Sequence, residues 1–92
     1  MTHDVKLFGP PKNFAVVQMS GRSFPGVVVQ GDTLHSLVIR LLEMQNLLKI
    51  GDLEELSGEI ENAKEELTEA LDNYEAVCFE RNIELPYPKT RG

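Results

Sequence analysis

The sequence predicts an α+β fold: a small antiparallel β-hairpin or sheet followed by an antiparallel two-helix hairpin (ββαα), with an extended C-terminal tail. Three observations carry that expectation. The β-branched and aromatic runs are confined to residues 1–30, apolar side chains recur at spacings of three and four from Leu34 to Val77, and Gly51-Asp52 separates two helical patterns. With 92 residues, 41% hydrophobic and 26% charged, the chain is sized for one domain, 1–92, and excludes a two-lobed enzyme with a cleft between lobes. A domain this small buries only about two-thirds of its unfolded surface, so support from an oligomer is expected.

Val5-Lys6-Leu7-Phe8 reads as a short strand that stops at Gly9-Pro10-Pro11, where two prolines remove backbone donors. Asn13 to Met19 forms the next strand, Ser20-Gly21-Arg22-Ser23 a turn, and Phe24 to Gln30 a strand with Pro25 at its edge or start. Strands joined by so short a turn pair antiparallel. The apolar run Val27-Val28-Val29 calls for burial on both faces, more than one helix layer supplies, so a second subunit is expected against the strands.

Helix 1 is expected over 32–50, with Asp32 or Thr33 capping the turn that opens at Leu34 and Gly51 closing it in the left-handed conformation. Its apolar positions exceed one stripe, so one face should cover the sheet while another needs a different partner. Helix 2 is expected over 52–82, capped by Asp52 with Glu55 three residues on. Leu53, Leu56, Ile60, Ala63, Leu67, Ala70, Tyr74 and Val77 form its heptad-like seam, which should lie antiparallel on helix 1. Gly58 within it costs about 1 kcal/mol relative to Ala, which implies either a bend or a close neighbour. The tail, 83–92, contains Ile83-Glu84-Leu85-Pro86-Tyr87-Pro88 and reads as extended and loosely docked.

The net charge of -6 is unevenly spread. Residues 1–51 hold five basic against three acidic side chains, net +2, and residues 52–92 hold four against twelve, net -8. The first part can therefore receive an anion, while the absence of a dense Lys/Arg stripe argues against duplex nucleic acid. One cysteine allows neither an intramolecular disulfide nor a multi-cysteine zinc site and suits a reducing cytoplasm. No apolar run reaches the roughly 20 residues that span a bilayer, and no membrane partner is expected.

The candidate ligand-binding residues are Asn13, Arg22, Phe24, Gln30, Gly31, Asp32 and Thr33. Gln30-Gly31 delivers the chain to a helix start, where unpaired backbone donors and the positive dipole end attract anions, although Asp32 and Thr33 also read simply as caps and the Asp32 carboxylate competes for the same donors. Arg22 and Phe24, with Asn13 and Gln30, offer guanidinium, ring and amide groups suited to a nucleobase or phosphate. Gln18 and Lys12 read as ordinary polar alternation on a wet sheet face. Arg22 and Thr33 lie beyond opposite ends of one strand, so a shared pocket would form between subunits. No enzyme, cofactor or metal site is expected. His3 is terminal, His35 and Asp32 supply only two ligands, and Cys78 lies on an apolar seam without a histidine.

The run Phe24-Pro25-Gly26 through Gln30-Gly31-Asp32-Thr33-Leu34, followed by Leu37, resembles the strand-to-helix passage of HicB-type antitoxins, and Ile83-Glu84-Leu85-Pro86-Tyr87-Pro88 resembles the segment after that family's helix. An acidic helix of about 30 residues and no appended DNA-binding domain depart from that family. The whole pattern, with Asn-Phe-Ala-Val-Val and Gly-Arg-x-Phe-Pro-Gly before Gln-Gly-Asp-Thr-Leu, looks like small bacterial and phage proteins with no assigned activity. The functional expectation is a non-enzymatic homo-oligomer, joined through the strands and helix 1, that sequesters a small anionic ligand such as a nucleotide immune signal, as phage counter-defence proteins do. The alternative is an antitoxin-like or immunity-like module whose acidic second helix covers a basic partner.

Overall fold

The computed structural model describes residues 5–8 and 13–88; the Gly9-Pro10-Pro11 stop, Lys12, His3 and the last four residues lie outside them. Three strands, β1 (Val5–Phe8), β2 (Phe14–Met19) and β3 (Gly26–Val29), precede two helices, α1 (Gly31–Ile50) and α2 (Leu53–Glu80). The α+β class is as expected, with one strand more than a hairpin: β1 pairs with β2 on the side away from β3, giving an antiparallel sheet in the order β1-β2-β3. The chain divides into two compact units, one of the strands through Val29 with the chain from Leu71 onward, the other Gln30–Ala70.

In the first unit, the register sets Val16 opposite both Phe8 and Val27, and Val17 opposite Leu7 and Gly26. Because side chains alternate across a strand, Phe8, Val16 and Val27 share one face and Leu7, Val17 and Val28 the other. The first face is the core: Phe8, Val16, Tyr74 and Cys78 are buried together, with Val77, Ile83, Leu85 and Tyr87 packed against them. Within this unit the cover over this face comes from the end of α2 and the segment after it. The second face is apolar throughout, yet only Val17 is buried there; Val5, Leu7, Met19 and Val28 are exposed. The two-sided burial expected for Val27-Val28-Val29 is thus not reached within one chain, since Val27 and Val28 are both exposed.

α2 ends in a Schellman motif. Asn82, left-handed at φ 56, donates its N–H to Phe79 O at 3.2 Å, and Ile83 N–H reaches Cys78 O at 2.8 Å. That reversal returns Ile83 to the core beside Val77. Ile83, Leu85 and Tyr87 alternate inward while Glu84, Pro86 and Pro88 are exposed, so the segment is docked rather than loose, as period-two alternation allows in extended chain. Arg81 seals the edge, its guanidinium 3.8 Å from the centroid of the Phe8 ring.

Two polar groups enter this core with partners. The Tyr74 hydroxyl donates to Pro25 O at 2.9 Å, across 49 residues of sequence. The Tyr87 hydroxyl donates to Glu75 Oε2 at 3.0 Å, and Glu75 is buried. Burial pushes the Cys78 thiol above its ordinary 9.0, a rise offset in part by a hydrogen bond with Tyr74 and reinforced by the Glu75 carboxylate. Tyr74 is raised too, first by burial and then by Cys78.

In the second unit, α1 and α2 meet at a joint of two residues. Gly51, left-handed at φ 78, caps α1 as expected, and Asp52 N–H bonds Leu47 O at 3.0 Å. Asp52 Oδ1 then accepts Glu55 N–H at 3.2 Å, so one residue closes α1 and opens α2. The Arg40–Glu66 ion pair joins the two helices, as antiparallel neighbours allow. The N-terminal cap differs from the expectation: α1 starts one residue early, its N-cap is Gln30 with no side-chain bond, and Asp32 lies within the first turn. Gly58 has open space where a Cβ would stand, so no close neighbour explains it.

Three outcomes follow for stability. Gly58→Ala should stabilise the chain by about 1 kcal/mol in urea unfolding, since Ala gains helix propensity and meets nothing. Tyr74→Phe should cost about 1–3 kcal/mol by the same measurement, because it leaves the carbonyl of a buried Pro25 without its donor. The folded state holds the Cys78 proton more tightly than the unfolded state does, so this contribution is complete below the ordinary thiol value and is lost as pH rises through the elevated folded value. Unfolding midpoints should fall in that alkaline range, and Cys78→Ser should blunt the fall.

Candidate functional site

The turn between β2 and β3 is built by backbone chemistry that leaves one cation exposed. Arg22 N–H bonds Met19 O at 3.2 Å, closing a four-residue reversal, and Gly21 within it has φ 80, where a side chain would be strained. The Gln18 amide braces the turn from within, its Nε2 donating to Arg22 O at 2.8 Å and to Met19 O at 3.2 Å. Gln18 therefore acts as a turn clamp, not simply as a wet-face residue. The following Ser23-Phe24 leads to Pro25, which the Tyr74 hydroxyl fixes from the core side.

Around this turn lies an open pocket of about 660 Å³, lined by Met19, Gly21, Arg22, Ser23, Phe24, Pro25, Gly26 and Pro86. Its volume lies within the range of small-molecule sites. Arg22 is the only charged side chain in the lining, and among the described residues it forms no ion pair. Phe24 is 44% exposed, which leaves ring surface available for stacking. Pro86, from the docked segment after α2, was not legible as a site residue; only its place two residues past Glu84 in a Pro-Tyr-Pro run marks it as rigid chain.

The structure brings Arg22 and Phe24 into one pocket, formed within a single chain. The other candidates do not line it. Asn13 is exposed just before β2, beyond the Phe14–Val29 pair and so at the end of the β2–β3 ladder away from the turn. Gln30, Gly31, Asp32 and Thr33 form the start of α1 in the other unit. There Asp32 Oδ1 accepts the Thr33 N–H at 2.9 Å, so the chain's own carboxylate occupies a donor that an anion would use and repels negative charge from the rest. Of the two anion features in the sequence, the turn is the one whose cation stays open.

Among the described residues, no group of three or more His, Cys, Asp or Glu side chains is placed to hold a metal. The sulfur of Cys78 is in the core, and His35 is exposed on α1. Among the described residues, no helix is long and apolar enough to cross a membrane.

Among curated proteins and among solved structures, none matches the chain. A family model does match, over residues 1–87, which takes in every strand, both helices and the turn pocket with Pro86: the chain belongs to DUF6959, a family of unknown function.

Proposed function

We propose that this chain is a non-enzymatic binding protein that holds a small anionic ligand of nucleotide size on the β2–β3 turn, and that it acts by sequestering that ligand. The observation that carries the reading is Arg22, the single charge in a pocket otherwise lined by glycine, proline, serine, methionine and an exposed phenylalanine. A guanidinium offers forked donors to a phosphate, and a ring beside it offers a stacking face to a base. One cation, one hydroxyl and one ring bind and orient a ligand, but none of them is a proton-transfer group at neutral pH. A nucleotide immune signal is the form of ligand proposed. The reading places the protein in a reducing cytoplasm, where such signals circulate and a lone thiol stays reduced.

A second reading rests on a different observation. Glu54, Glu65 and Glu69 are exposed on α2, and none takes part in the ion pairs among the described residues, Arg40–Glu66 and Lys64–Glu61. An antitoxin-like or immunity-like module would use that face against a basic protein. Reversing Glu61, Glu65 and Glu69 to Lys separates the readings, because it should abolish a salt-sensitive protein complex and leave ligand binding at the turn intact.

Calorimetry of the folded chain against a panel of cyclic and linear nucleotides checks the first reading. One class should bind, and Arg22→Gln should weaken it about 10-fold to 100-fold, the loss of a charge-assisted contact. Absence of heat with every nucleotide, while the chain is folded, rejects the proposal.

A further inference from the structure

Charge divides between the two units as the fold does. Gln30–Ala70 holds ten acidic side chains against Arg40, Lys49 and Lys64, net -7, so the hairpin alone exceeds the chain's total of -6. Two of its three cations are engaged, Arg40 with Glu66 and Lys64 with Glu61. Lys49 stands in the last turn of α1, where a cation suits the helix dipole.

A groove of about 410 Å³ runs along the hairpin, with Ile39, Leu42, Glu43 and Leu47 of α1 and Glu55 and Glu59 of α2 in its lining. It lies wholly within the second unit. No cation lines it, and none of its three carboxylates takes part in an ion pair among the described residues. Glu55 has a reason to be acidic within the chain itself, because it belongs to the first turn of α2, where the dipole favours a negative charge. Glu59 has none: it is half-buried one turn further on, four residues from Glu55, a spacing at which like charges destabilise a helix. Glu43 adds a third charge to the same groove from the other helix. The apolar part of the lining is open as well, Ile39 being 40% and Leu42 53% exposed.

We infer that this groove docks a basic amphipathic helix of a partner protein, with Lys or Arg side chains on Glu43, Glu55 and Glu59 and apolar side chains on Ile39 and Leu42. Charge complementarity selects that occupant. A second copy pairing through the same groove would bring a hairpin of net -7 against these carboxylates, and a small inorganic cation would leave the apolar lining uncovered. Lys and Arg suit both halves of the groove, since their methylene stems lie on apolar surface while the charged head reaches an acid. Two packed helices also offer a third helix the ridges and grooves of ordinary helix packing, the helix-in-groove mode of recognition. From Ile39 to Leu47 the lining extends about 12 Å along α1, about two turns of an incoming helix.

The inference does not involve the turn pocket and stands if the nucleotide reading fails. It differs from the acidic-face reading in the surface used, since it needs the carboxylates of the groove and not Glu61, Glu65 and Glu69. The probe is a labelled synthetic peptide of about 18 residues, five helical turns, with leucine along one side and lysine along the other, titrated against the full chain by fluorescence anisotropy. It should bind, more weakly as salt rises, and a peptide of the same composition in scrambled order should bind about 10-fold more weakly. Glu43→Gln with Glu59→Gln should weaken binding about 10-fold, whereas Glu65→Gln with Glu69→Gln, which removes the same charge, should change it less than about twofold. Leu42→Ser should weaken it about threefold or more, with helical circular dichroism retained in every variant. Absence of binding at low salt overturns the inference. Equal binding of the scrambled peptide, or equal losses from the two Gln pairs, also overturns it by reducing the effect to net charge. So does a dimer of the free chain that Leu42→Ser dissociates, which would place a second copy in the groove.

Discussion

The last three turns of α2 hold the first unit together through one composite contact: Tyr74, Val77 and Cys78 on Phe8 and Val16, with the Tyr74 hydroxyl bonded to Pro25 O. A three-stranded sheet of four, six and four residues is marginal alone, so its persistence depends on that cover. The hydroxyl does more than satisfy itself in the core. It pins the residue that begins the descent into β3, and Pro25 is also a wall of the turn pocket. The ligand pocket proposed above is therefore held from beneath by packing rather than by its own loop, which is the arrangement that keeps a binding site preorganised.

The two units solve the problem of a small core differently. In the first, Ile83, Leu85 and Tyr87 extend the cover over the sheet beyond what the helix alone reaches, and Glu75 is tolerated because Tyr87 donates to it. In the second, α1 has no buried residue, and the hairpin relies on caps, one ion pair and a partly covered seam. Each unit, taken by itself, carries exposed apolar side chains: Val5, Leu7, Met19 and Val28 on the sheet, and Leu34, Leu41 and Leu48 on α1.

Local rules made most of the elements legible. Alternation and β-branching marked β2 and β3, Gly51-Asp52 marked the joint, and spacings of three and four marked both helices, because each depends on neighbours in sequence. What was not legible depends on distant residues. The cover of the sheet by the end of α2 rests on a 49-residue contact, and the Asn82 reversal that brings Ile83 back to it is a left-handed asparagine rather than a glycine. The site divided along the same line. Arg22 and Phe24 sit on one turn and could be paired from sequence, but the Gln18 clamp and Pro86 enter only through folding, and the Asp32 bond within the first turn turned an apparent anion site into a self-satisfied one.

The joint at Asp52 has a further consequence. Since this residue both donates its N–H to Leu47 O in the last turn of α1 and accepts the Glu55 N–H in the first turn of α2, the connection has no slack. A residue inserted there would break the shared contacts of Asp52, and one inserted within the first turns of α2 would rotate the rest of that helix by about 100° and move Glu66 off Arg40. Length can vary by whole heptads within the two helices together, where register survives, but not at the bend. Relatives that share the hairpin should therefore differ in paired blocks along its arms and keep the bend itself constant in length.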